Sequence, residues 1–196
     1  MGTGQRPRGA GRLALHETAL RQFARNGVEG TSLQAIADEM GVSKAAVYYH
    51  YKTKDELVLG VLEPVIAQLT AMVERIKARR GRQARLDELV TGIVGLAIDN
   101  HERFAVILGD PAVGNILSEH AVTQGWDNLK DLFGGLESDP FIHAALSLFI
   151  TGLLGPLRDP ELAAMGPERL RELLIESGRR LLQIRRPAAK SRSAST

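Results

Sequence analysis

Four helix starts and stops are written into the first sixty residues of this chain, and that punctuation most restricts its fold. Leu15, Ala19, Leu20 and Phe23 share one face of a first helix, and Gly27 and Gly30 end it. Thr31 with Gln34 three residues on reads as a capping box for a second helix beginning near Ser32. The apolar face of that helix is Leu33, Ile36, Ala37 and Met40. Gly41 breaks it, and Ser43 is placed to cap a third helix from Lys44 to about Tyr51. Thr53, with Glu56 in the reciprocal position, opens a fourth. No segment alternates as a strand does, so the expected fold is all-α.

Helical periodicity continues downstream. The fourth helix is expected to run toward Lys77 with a kink at Pro64. The run KARRGRQAR, Lys77 to Arg85, reads as a basic connector. Leu86, Leu89, Val90, Ile93, Val94 and Ala97 then form a helical stripe. Asp110-Pro111 and Asp139-Pro140 each read as a cap followed by proline at the first helical position, and Gly166-Pro167 repeats that arrangement. From Arg186 the chain has no apolar residue larger than alanine and is expected to be disordered.

Composition narrows the chemistry. The chain has no cysteine, which excludes disulfides, thiolate metal sites and a cysteine nucleophile. His16, His50, His101, His120 and His143 are scattered, with no HExxH, no GxSxG and no glycine-rich phosphate loop. No enzyme activity, metal or cofactor is expected. The longest stretch free of ionisable groups, Ala144 to Leu157, is shorter than the ~18 residues of a membrane span and reads as a buried helix. The basic start MGTGQRPRGAGR is followed by no apolar run. The expectation is a cytoplasmic protein with no membrane partner. Net charge is only +2, so any affinity for nucleic acid must come from local clusters.

One such cluster is GVSKAAVYYHYKTKDEL, Gly41 to Leu57, which holds all three tyrosines. At about 100° per residue, Val47 and Tyr51 face inward, toward Ile36 and Ala37, while Ala45 and Tyr49 face solvent. Tyr48 lies on one flank, Ala46 and His50 on the other. Helix, glycine turn, short helix is the helix-turn-helix pattern, whose second helix can enter a DNA major groove. Phenols can donate to phosphate oxygens, and small alanines let a helix backbone approach base edges. Lysines add attraction that is independent of sequence. The alternative is a solvated helix with incidental tyrosines, because three-helix units also occur in proteins that bind no DNA.

The stretch TSLQAIADEMGVSKAAVYYHYKTKDEL, with ALRQFARNGVEGTSL before and overlapping it, resembles the N-terminal signature of TetR-type transcriptional regulators over roughly residues 12 to 62. The resemblance implies an N-terminal helix-turn-helix DNA-binding domain over residues 1–62, a larger helical effector-binding and dimerisation domain over 63–185, and a tail over 186–196. It implies DNA contact by Gln34, major-groove contact by Lys44, Ala45, Ala46, Tyr49 and His50, and phosphate contact by Tyr48 and Lys54 with Thr53 beside them. Residues 1–11 are expected to be disordered; Arg6, Arg8 and Arg12 are the candidates for an arm over the minor groove. Two residues depart from the family pattern. Tyr51 stands where phenylalanine is common, so its hydroxyl needs a partner, and His16 replaces an apolar residue, which predicts looser packing of the first helix.

For the larger domain the resemblance implies a small-molecule cavity and a homodimer through the last two long helices. Phe141, Ala145, Leu148, Phe149, Gly152 and Leu153 form a broad apolar face on one, and Leu170, Leu174 and Leu181 lie on the other. The alternative is that both pack only within the monomer. Candidate effector contacts are His101, Phe104 and Trp126, the only tryptophan, with Asp99, Leu108 and Phe133 on the same segments. The expected effector is apolar. The expected function is a ligand-responsive regulator, most often a repressor, on a pseudo-palindromic double-stranded operator. The competing reading is a helical carrier or interaction protein without DNA binding.

Overall fold

The computed structural model describes residues 8–119 and 140–184, with side chains from residue 11 onward. Every regular element among them is helical. The helices are α1 (Arg8–Asn26), α2 (Leu33–Met40), α3 (Lys44–His50), α4 (Lys54–Ala78), α5 (Arg82–Asp99), α6 (His101–Gly109) and α7 (Pro111–Glu119). After residue 139 come α8 (Pro140–Gly152), α9 (Leu154–Arg158), α10 (Pro160–Ala163) and α11 (Pro167–Leu181). Residues 8–11, expected in the arm, are the first turn of α1. Residues 1–7 and the tail from 186 lie outside the described residues, as do Trp126, Phe133, His120 and Asp139.

The helix ends follow side-chain chemistry, with three corrections. Ser43 caps α3 as expected, its Oγ accepting from Ala46 N–H. Ser32 rather than Thr31 caps α2, accepting from Ala35 N–H. Thr31 is buried and donates instead to the Gly27 carbonyl. Thr53 caps α4 by accepting from Glu56 N–H, but the Glu56 carboxylate reaches past Thr53 to Lys52 N–H. The basic connector shrinks, because α4 runs to Ala78 and α5 starts at Arg82, leaving a turn at Gly81 with φ 84°. Helix α4 is continuous through Pro64.

Two apolar cores share α4 as a common beam. Leu57, Val58, Val61 and Leu62 join the first core with Leu15, Phe23, Ile36, Val47 and Tyr51. Val65, Leu69, Met72, Val73 and Ile76 join the second with residues of α5, α8 and α11. The first core also takes Val106 from α6 and Val113, Ile116 and Leu117 from α7, so the N-terminal helices do not close their own core. Each such side chain, fully buried, contributes about 1.5–3 kcal/mol. By length and mean hydropathy, Lys54–Ala78 and Pro140–Arg158 resemble membrane spans. In α4 that apolar surface faces the two cores.

Glycines and ion pairs set the helix spacing. A Cβ on Gly178 of α11 would lie 2.6 Å from Phe149 and 2.8 Å from Val90, and one on Gly92 would overlap Met72. Arg179 of α11 donates to Asp87 of α5 at 2.6 and 3.3 Å, and Arg171 donates to Asp99 at 2.7 Å. Burial alone would raise the Glu88 carboxyl, but hydrogen bonds from Arg75 and Arg79 outweigh it and hold the group below its usual range.

Gly178→Val is expected to lower stability by about 1–3 kcal/mol through overpacking. Gly114, in the middle of α7, has nothing within 4 Å of the position its Cβ would take, so Gly114→Ala should add up to about 1 kcal/mol. Urea unfolding of both variants checks the pair; equal effects would mean that Gly178 does not set the spacing.

Candidate nucleic-acid interface

Seven residues of α3 are held by one buried side and leave the other free. Val47 is 2% exposed, and Tyr51, the C-cap residue, is 7% exposed. Lys44, Ala45, Ala46, Tyr49 and His50 are all exposed, Tyr49 at 73%. The Tyr49 and His50 rings meet edge to face with centroids 5.3 Å apart. Tyr48 is half-buried, and the Lys44 ammonium lies 5.4 Å from its ring centroid. Lys52 Nζ donates to the Tyr48 carbonyl at 2.9 Å, placing a cation at the negative end of α3. Gln34 is exposed on α2, its amide donating to Asp38 at 2.7 Å. These side chains come from the two helices that flank the turn Gly41-Val42-Ser43, and from Lys52 just after the second, with Gly41 at φ 65°.

Lys54, expected at a phosphate, and Thr53 beside it are both engaged within the fold. Thr53 is exposed, but its side chain is engaged as the α4 cap. Lys54 turns toward the turn after α1, where Nζ donates to the Val28 carbonyl at 2.8 Å and to the Glu29 carbonyl at 3.3 Å. The Val28 carbonyl also accepts from Thr31 N–H at 3.3 Å, and the ammonium bridges it to the Glu29 carbonyl, using two of its three donors. Lys54 therefore braces the fold with two of its three N–H groups. The same turn is fastened from the other side. Asp110 Oδ2 accepts from Val28 N–H at 2.6 Å across 82 residues of sequence, while its Oδ1 caps α7 by accepting from Ala112 N–H.

The two departures from the family pattern prove to be one interaction. Tyr51 Oη accepts from Arg12 Nε at 3.0 Å, which leaves its proton for His16 Nε2 at 2.5 Å. Arg12 also pairs with Glu63 of α4 at 3.1 Å. Arg12 thus turns onto α3 and α4 and is no part of an arm. Burial, and then the charges of Arg12 and Arg103, hold the His16 imidazole below its ordinary range, which suits a neutral ring that accepts. Gly60 of α4 makes room, since a Cβ there would overlap the Tyr51 hydroxyl. The first helix is not loosened by His16, because the ring is a buried hydrogen-bonding member of the core.

The expected effector contacts do not converge. Phe104 is 4% exposed and belongs to the second core. His101 is exposed at the start of α6 and borders a cleft toward α1 and α9. Trp126 lies outside the described residues. On the expected dimer face, Ala145, Phe149, Leu153, Leu170 and Leu174 are buried within the monomer. Phe141 and Leu148 of α8 and Leu173 and Leu181 of α11 remain exposed.

The chain is similar to known proteins. Residues 15–61 match the family model described as bacterial regulatory proteins, tetR family. An HTH-type transcriptional regulator of Mycobacterium tuberculosis is 30% identical over 101 residues, which is 50% of this chain and 43% of that protein. The chain thus spans less than half the length of that curated relative. A TetR-like transcriptional regulator from Rhodococcus sp. RHA1 superposes with a TM-score of 0.62 at 18% identity, covering 92% of this chain and all of the other. NalD, the secondary repressor of the MexAB-OprM multidrug efflux pump in Pseudomonas aeruginosa, superposes with a TM-score of 0.57 at 25% identity, over 88% of this chain and 95% of that one.

Tyr51→Phe is expected to cost about 1–3 kcal/mol, because it strands the buried His16 nitrogen. Adding His16→Leu should restore most of that loss, and urea unfolding of the single and double variants measures it. The lowered His16 value also fixes a sign. The unfolded chain takes up the proton more readily, so stability is fully present above about pH 6.5 and declines as pH falls below it. His16→Leu should remove that part of the slope; an unchanged slope would place the titrating group elsewhere.

Proposed function

We propose that this chain, which belongs to the TetR family through the helix-turn-helix unit of residues 15–61, is a DNA-binding transcriptional regulator that acts as a repressor in the cytoplasm. The observation that carries the reading is the two-sidedness of α3. One side is fixed by Val47 and Tyr51, and the other presents Lys44, Ala45, Ala46, Tyr49 and His50. A rigid helix with small residues between a cation and an aromatic pair suits entry into a major groove. Tyr48, half-buried at the flank, and Gln34 on α2 suit the adjoining phosphates.

A second copy completes the device. The exposed Phe141 and Leu148 of α8, with Leu173 and Leu181 of α11, support a homodimer through those two helices. Two copies of α3 then read a pseudo-palindrome with half-sites about 34 Å apart, or a multiple of that distance. A small apolar effector that prefers a different separation of the two α3 helices releases the operator through linkage. Helix α4 is the natural lever, because it runs from the Thr53 cap beside α3 into the second core. No catalytic step is part of this reading.

A duplex selected from a random library, followed by fluorescence anisotropy at fixed salt, tests it. Tyr49→Ala should weaken binding by about 1–3 kcal/mol, and Lys44→Ala should reduce the slope of log affinity against log salt by about 1. Binding that is indifferent to salt, or to both substitutions, would favour a helical carrier over a regulator.

A further inference from the structure

The geometry points to a binding site for a small amphipathic carboxylate in the cleft between α1, α6 and α9, with its occupancy linked to DNA affinity. The second half rests on the regulator reading above; the first half does not. The cleft has a volume of about 290 Å3. Its apolar wall is Leu20 and Ala24 from α1, Ala105 from α6, and Leu154 and Leu157 from α9. It lies at the seam of the N-terminal helices with the rest of the molecule, and of the expected effector contacts His101 borders it while Phe104 belongs to the second core.

Charge selects the ligand class. Arg25 and Arg158 both line the cleft, and neither makes a hydrogen bond or ion pair among the described residues. Arg21 also lines it but is taken up by Glu39 and Thr18. Glu102 is the one carboxylate among the described lining residues, with Asp110 in the adjoining cleft already accepting from Val28 and Ala112 N–H, so the cationic side chains of the lining outnumber its carboxylate. Arg25 and Arg158 each sit in the last turn of a helix, where the macrodipole favours a cation. That accounts for a positive charge at each end separately. It does not account for two guanidinium groups, neither paired among the described residues, bordering one apolar-walled cleft. An arginine fork matches a carboxylate with two parallel hydrogen bonds, and the apolar wall matches a short hydrocarbon or aromatic body.

Position supplies the link to DNA. An occupant would touch α1, α6 and α9 together, and so sense their separation. Helix α1 carries Leu15, Ala19 and Phe23 into the core that fixes α3. The turn after α1 is tied by Val28 to Asp110, the residue that follows α6. A second, smaller cleft that includes Gly27 and Asp110 shares Ala24, Ala105 and Arg158 with the first. A ligand held by Arg158 therefore lies beside the fastening that relates the N-terminal helices to α6 and α7. Any preference for one spacing must appear as a reciprocal change in DNA affinity.

Calorimetry with octanoate and 1-naphthoate on the DNA-free full chain tests the site, with 1-octanol as the uncharged control. At least one carboxylate should bind saturably, and octanol about tenfold more weakly or worse. Arg158→Ala and Arg25→Ala should each weaken the carboxylate severalfold and leave octanol unchanged. Ala24→Leu, an exposed position on the wall, should abolish both while circular dichroism stays that of the parent. Failure of both carboxylates to bind, or binding indifferent to all three substitutions, overturns the site. Anisotropy on the selected duplex should then show a change in affinity of about fivefold or more on saturation. Unchanged affinity in a saturated protein overturns the link alone. A protein that binds the carboxylate through the arginines yet binds no duplex would sink the regulator reading and leave the site standing.

Discussion

A helix of seven residues cannot hold itself together in water, where isolated helices shorter than about 12–15 residues are marginal. Helix α3 exists because Val47 and the adjoining Tyr51 are buried among α1, α2 and α4. That single anchorage orders the exposed side as well. With the inner residues fixed, the directions of Ala45, Tyr49 and His50 follow from helical geometry, without any contact of their own to hold the backbone. Preorganisation of this kind lets a surface meet a duplex with little further ordering.

The anchor depends in turn on the rest of the molecule. The core that receives Val47 also contains Val106, Val113, Ile116 and Leu117. Asp110 and Lys54 hold the turn after α1 by its amide and its carbonyls. The exposed side of α3 and the larger helical body are thus parts of one packed structure, with α4 entering both cores. Residues of α6 and α7 share the first core with α1, and a hydrogen bond ties the turn after α1 to Asp110.

Much of this was legible in the residue order. Gly41 and Ser43 specified the turn and the start of α3, and the 3.6-residue period put Val47 and Tyr51 on the inward side. Exposure of Tyr49 followed from the same count. What could not be read were choices among partners distant in sequence. Lys54 looked free because the carbonyls it meets lie 25 and 26 residues earlier. Phe104 looked available for a ligand because periodicity marks it only as apolar, and apolar residues serve cores and cavities alike. Thr31 and Ser32 are both competent caps, and only the three-dimensional course of the chain after Gly27 decides that Ser32 takes the role. Asp110 was recognised as a cap, but its second oxygen, reaching across to Val28, left no local signal.

The cluster of His16, Tyr51 and Gly60 has a consequence for how such a sequence can vary. Phenol, imidazole and bare backbone come from three separate helical stretches, yet each is acceptable only in the company of the others. Lengthening residue 60 collides with the phenol, and shortening residue 51 strands the imidazole. An imidazole at residue 16 facing phenylalanine at residue 51 would meet a ring edge with no hydroxyl to donate. The three positions are therefore coupled in what they tolerate: an interior of hydrocarbon alone needs the phenol and the imidazole replaced together.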